Sequence, residues 1–105
     1  MNFPKDADGD ALRNLAARCD ITKPMAIEFT VVVPDKCAAE AVASRVLQRG
    51  YMPSIEWDDE TDEWSCSCAK RMLPTYAAIV AAQQELDELS RDIDGYSDGW
   101  GTFGN

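Results

Sequence analysis

Residues 26–33, Ala-Ile-Glu-Phe-Thr-Val-Val-Val, constrain the fold most. Successive side chains of a strand point to opposite faces. Ile27, Phe29, Val31 and Val33 therefore make one apolar face, and Glu28 and Thr30 mark the other as solvated. A strand of this kind belongs to a sheet with one face covered and one face wet. Pro34 ends it.

The remaining periodicities supply the cover. Asp35 is placed to cap a helix over 36–49, whose stripe is Ala39, Val42, Ala43, Val46 and Leu47, with Gly50 as its stop. A strand follows over 51–57, with Tyr51, Ile55 and Trp57 on one face. Pro53 withholds a ladder donor there and favours a sheet edge. An acidic turn over 58–63 leads into a strand over 64–70, where Trp64, Cys66 and Cys68 alternate with Ser65 and Ser67. Two strands so close in sequence form an antiparallel hairpin. Pro74 suits the first turn of a third helix over 74–92, with Ile79, Ala82, Leu86, Leu89 and Ile93 buried and Gly95 ending it. A short last strand is expected around Trp100–Phe103. An additional N-terminal helix over 9–19, capped by Asp8, carries Leu12, Leu15, Ala16 and Cys19 on one face.

After that first helix, the order β-α-β-β-α-β is the ferredoxin-like motif. The expected fold is α+β: a two-layer sandwich with an antiparallel sheet and helices on one face. The 105 residues make one domain, 1–105. No apolar segment approaches the ~20 residues of a membrane span. No apolar stretch follows Met1, so the cytoplasm is the expected compartment. In that compartment Cys19, Cys37, Cys66 and Cys68 are expected as free, core-facing thiols.

Several chemistries are excluded on residue type. The chain has no histidine, which removes the usual general base, the usual triads and the commonest metal ligand. Asp6-Ala-Asp-Gly-Asp10 has the acids of a calcium loop, but the positions for the loop glycine and the bidentate glutamate are Ala11 and Ala17. A structural zinc site would need all four cysteines, and Cys19 and Cys37 fall on different helices and face the core. Gly99-Trp-Gly-Thr-Phe-Gly104 matches a dinucleotide fingerprint by letter, with no helix after it. No catalytic, cofactor-binding or metal-binding residue is expected.

Charge points to binding. The net charge is −9. Nucleic-acid affinity comes largely from Lys and Arg at phosphates, so direct nucleic-acid binding is not expected. Six acids fall within eight residues: Glu56, Asp58, Asp59, Glu60, Asp62 and Glu63. Six more lie between Glu85 and Asp98, opposed locally only by Arg91. Trp57 and Trp64 flank the first group, and Trp100 sits in the tail. The candidate partner surface is Glu56, Asp58, Asp59, Glu60, Asp62 and Glu63, with Asp94, Asp98 and Trp100. It suits a basic protein. Solvation alone is the plainer reading of the same acids.

Three segments carry a family resemblance. They are Asp6-Ala-Asp-Gly-Asp10 opening a helix, Arg71-Met-Leu-Pro-Thr75 opening the last helix, and Tyr96-Ser-Asp-Gly-Trp-Gly-Thr102 near the end. Together they resemble the RraB family of ribonuclease E regulators over about 6–103. The motif positions are Asp6, Asp8, Gly9, Pro74, Asp98, Gly99, Trp100, Gly101 and Thr102. The similarity is to the core domain, without the acidic C-terminal extension of the enteric regulators. The resemblance implies a ferredoxin-like sandwich that binds the basic scaffold half of ribonuclease E and restrains its cleavage of RNA. The alternative function is an acidic immunity or antitoxin-type protein that neutralises another basic protein. A third class is an enzyme with a pocket behind the Asp98–Trp100 turn. Paired buried carboxylates would mark it.

Overall fold

A computed structural model describes residues 5–102. Met1–Pro4 and Phe103–Asn105 lie outside the described residues, and with them the Phe103 end of the expected last strand. The elements are α1 (Ala7–Arg18), β1 (Met25–Val33), α2 (Lys36–Leu47), β2 (Met52–Asp58), β3 (Glu63–Met72), α3 (Tyr76–Ser90), a single 3-10 turn (Arg91–Ile93) and β4 (Tyr96–Gly101). The strands form one antiparallel sheet in the order β2-β3-β1-β4. This is the ferredoxin-like arrangement, with Pro53 on an edge strand as expected.

Register sorts the two faces into rows. Pro53, Cys68, Phe29 and Trp100 stand side by side across the sheet, as do Ile55, Cys66, Val31 and Ser97. These rows meet Leu12 and Leu15 of α1, Val42 and Val46 of α2, and Ile79 and Leu86 of α3 in one core. The opposite face carries Glu56, Ser65, Val32 and Tyr96 in one row, then Ser54, Ser67 and Thr30, then Met52, Ala69, Glu28 and Gly101. No described helix covers that face. All three helices sit on the apolar side that the alternation of β1 demands.

Helix ends moved where tertiary partners decided between equivalent residues. Asp6, not Asp8, caps α1: its Oδ1 accepts the Gly9 N–H at 2.7 Å. Asp35 caps α2 as expected, accepting from the Ala38 N–H at 2.8 Å. The helix closes at Leu47, where Gly50 takes the left-handed φ of +89° that a stop requires. Thr75 caps α3, so Pro74 precedes the helix and is buried before its first turn. α3 stops at Ser90 and the 3-10 turn follows. The left-handed residue there is Asp94 (φ +59°), not Gly95.

Gly95 has a different duty. Its N–H donates to the Ser90 carbonyl at 2.9 Å, which brings the backbone against α3. A Cβ there would stand 2.8 Å from Ser90 Cβ and 3.2 Å from Val33 Cγ1. Gly95→Ala should therefore destabilise the domain by about 1–3 kcal/mol, the usual cost of an overpacked site. Chemical denaturation of the variant beside wild type reads it; an unchanged midpoint would mean that α3 and β4 separate freely.

The cysteines divide. Cys66 and Cys68 are buried with their Sγ atoms 3.9 Å apart, whereas Cys37 is exposed and Cys19, at the end of α1, is half-buried. The expectation that all four face the core fails at Cys37, which sits in the first turn of α2 away from its buried stripe of Ala38, Ala39, Val42 and Val46.

Candidate functional site

The acidic turn is built by the hairpin. β2 ends at Asp58, β3 begins at Glu63, and these two residues face each other in register. Asp58 Oδ1 accepts the backbone N–H of Glu60 at 2.9 Å and of Thr61 at 3.4 Å, a local bridge that aspartate favours in turns. Asp62 closes the turn in the left-handed region at φ +60°. The end of β1 lies beside this turn. Asp62, Glu63 and Asp94 line one shallow hollow with Val32, Val33 and Tyr96. Glu56 stands one row further in, on the uncovered face.

The fold narrows the acidic surface that the sequence suggests. Of the six acids between Glu85 and Asp98, three meet cations. Arg45 reaches Asp92 through both guanidinium nitrogens, at 2.7 and 3.1 Å, and also donates to the Leu89 carbonyl at 2.6 Å. Arg49 lies 3.3 Å from Glu85, and Arg91 lies 3.5 Å from Asp87. Arg45 comes from α2 and Arg49 from just beyond its end, so Arg91 is not the only opposing charge. Glu56, Asp59, Glu60, Asp62, Glu63, Asp94 and Asp98 have no ion-pair partner among the described residues. Most of these unpaired carboxylates gather at the hairpin end.

Trp100 is elsewhere. It faces Phe29 in register, on the helix side of the sheet, and its indole Nε1 donates to Asp8 Oδ1 at 3.0 Å. The Asp98–Trp100 turn is a bulge inside β4. The register shifts between Phe29 and Val31, and Gly99 adopts φ +85° while Gly101 does not. A bulge bends the strand and re-aims one side chain, here turning the indole onto α1. Asp98 is exposed in the bulge itself, four residues after Asp94.

The motif positions near the N-terminus form a latch that holds α1. Tyr76 Oη donates to Asp6 Oδ2 at 2.6 Å, Gln83 Nε2 to Asp8 Oδ2 at 3.2 Å, and Thr102 Oγ1 to the Ala26 carbonyl at 2.6 Å. Gly9 is buried in the same turn. Asp6 and Asp8 thus tie α1 to α3 and β4, and Thr102 ties the segment after β4 to β1, work that their spacing in the sequence does not reveal. Exposure of Trp57 (46%) and Tyr96 (49%) was also missed. Alternation places Trp57 on the covered face, but the helices do not reach that far.

Latch and ion pair set an acid limit. The Tyr76 hydroxyl and then the Gly9 N–H hold the Asp6 carboxyl below its ordinary 3.8. Arg45 does the same for Asp92. Both groups are depressed in the folded state, so their contribution is present above pH 4 and is lost as pH falls through the lowered values. Denaturation midpoints should decline below about pH 4. Asp6→Asn and Asp92→Asn should each flatten that decline; identical acid limbs in all three proteins would count against it.

The hydrogen bond from Cys68 to Cys66, with burial, pushes the Cys68 thiol far above the usual thiol range and keeps it protonated. Among the described residues no three acids or cysteines come together in a way that could hold a metal ion. The hollow beside Trp100 is lined by Asn14, Leu15, Arg18 and Thr102 and has no carboxylate on its wall.

No described helix is long and apolar enough to cross a membrane. Residues 5–102 match the sequence profile of the family described as regulator of ribonuclease activity B. No curated protein matches the chain in sequence.

Proposed function

We propose that this chain, which belongs to the RraB family of ribonuclease regulators, binds a basic segment of a ribonuclease E-like enzyme through the hairpin end of its sheet and so restrains RNA cleavage. The observation that carries this reading is the set of acids left without cationic partners around the 59–62 turn and Asp94, beside an uncovered sheet face. Carboxylates already paired at home offer a partner little. Unpaired ones attract a basic segment at long range and fix its approach. The role is non-catalytic and cytoplasmic: the protein blocks or displaces, and the nuclease does the chemistry.

The motif residues support this division of labour. Asp6, Asp8, Trp100 and Thr102 stabilise the frame, whereas the partner surface is the hairpin end. Asp98, exposed on β4, belongs to the outer part of that surface, and Trp100 leaves it.

The test is a cleavage assay with a ribonuclease E that includes its basic scaffold half. Adding this chain in excess should slow cleavage of a structured RNA at low salt. The isolated catalytic half should be unaffected. Equal cleavage rates with and without the chain would overturn the regulatory reading. Slowing of the isolated catalytic half would move the contact to the active domain.

A further inference from the structure

We propose that Trp57, packed at a tilt against Trp64, is a platform for an arginine side chain of the basic partner segment. This rests on the reading above and specifies the chemistry of the same surface. The two residues face each other across β2 and β3, with ring centroids 5.2 Å apart and planes tilted by 48°. Trp64 packs against the edge of the core, and Trp57 leaves 46% of its surface in water. An open indole backed by a second one is the kind of aromatic anchor that interfaces use.

The surroundings choose the ligand. Asp59, Glu60 and Asp62 close the turn just past the Trp57–Trp64 pair, while Glu56 and the Asp58–Glu63 pair stand on the opposite face of the same hairpin. Lys36 and Arg91 are basic residues that chain order brings to this end, and Arg91 is engaged by Asp87. An indole face attracts a cation, and carboxylates within a Debye length of about 10 Å strengthen the local negative potential. Guanidinium fits better than ammonium. It is planar, stacks on an aromatic ring and still presents donors at its edges to carboxylates. A nucleic-acid base would stack equally well, but its phosphates meet these same acids. A second copy of the chain would bring another charge of −9.

The occupant is therefore an arginine-bearing, extended basic peptide. The experiment compares two peptides of equal length and charge, one with arginines and one with lysines, by calorimetric titration at low salt. The arginine peptide should bind roughly two- to fivefold more tightly, as cation–π contacts at exposed sites allow. In Trp57→Ala that preference should vanish while weak, salt-sensitive binding of both peptides persists. Trp57→Met retains apolar volume without a π face and should behave the same way. Circular dichroism melts of both variants check folding. Equal affinities for the two peptides in wild type, or a preserved arginine preference in a folded Trp57 variant, would overturn the proposal. Binding of neither peptide, tighter binding of single-stranded RNA, or a dimer that dissociates on Trp57→Ala would also overturn it. None of these results touches the cleavage assay, so the regulatory reading stands or falls separately.

Discussion

Trp100→Ala should lower the stability of the domain by about 3 kcal/mol, at the low end for truncation of a large aromatic side chain because the indole is only partly buried. For a domain of this size that is a drop of roughly 12–24 °C in Tm. Two losses add. The indole no longer fills the space between α1 and β4, and Asp8 loses the Nε1–H donor that held it at 3.0 Å. Trp100→Phe should keep most of the packing and cost about 1 kcal/mol, the net worth of one hydrogen bond. Asp8→Ala should cost a similar amount. The double variant Asp8→Ala with Trp100→Phe should cost less than the sum, since both remove one contact. An unchanged melting temperature in Trp100→Ala would show that α1 is held without the indole, and would return Trp100 to the partner surface.

The second large effect is on binding. Asp59→Asn, Glu60→Gln, Asp62→Asn and Asp94→Asn together should weaken binding to the basic scaffold segment by roughly tenfold or more. Four exposed charges at a few tenths of a kcal/mol each reach that sum. Asp58 is left in place because its Oδ1 holds the turn through the Glu60 and Thr61 amides. Asn tolerates the left-handed backbone that Asp62 and Asp94 adopt, at φ +60° and +59°. The variant should therefore melt at or above the wild-type temperature, because like charges have been removed from one end. A folded variant with wild-type affinity would mean that the partner docks elsewhere, with Asp98 and the far side of β4 the first place to look.

How much of this was legible in the sequence depended on range. The alternation of Ile27, Phe29, Val31 and Val33, the stripe of α2 and the run Trp64–Cys68 each reported a local preference, and every one became the element it suggested. Helix ends were less legible. Asp6 and Asp8 are the same residue type two positions apart, and the choice fell to partners some 70–90 residues away, Tyr76 and Trp100. The charges opposing the second acidic group were hidden for the same reason. Glu85 and Asp92 look unopposed in sequence, yet Arg49 and Arg45, 36 and 47 residues earlier, neutralise them once α2 lies beside α3. Trp57 shows the converse. Its parity is that of a core residue, but it sits past the edge of the helix layer, and no periodicity records where a layer ends.

The central claim is that unpaired carboxylates at the hairpin end capture a basic segment of the nuclease. The most direct measurement is the association rate with the purified scaffold segment from about 50 to about 500 mM salt, a range over which the Debye length shrinks roughly threefold, for wild type and the four-site amide variant. Wild type should associate fast at low salt and slow steeply as salt rises, with dissociation changing much less. The variant should start slower and show a shallower slope. A complex whose association ignores both salt and the four substitutions would contradict the claim, as would no complex at the lowest salt.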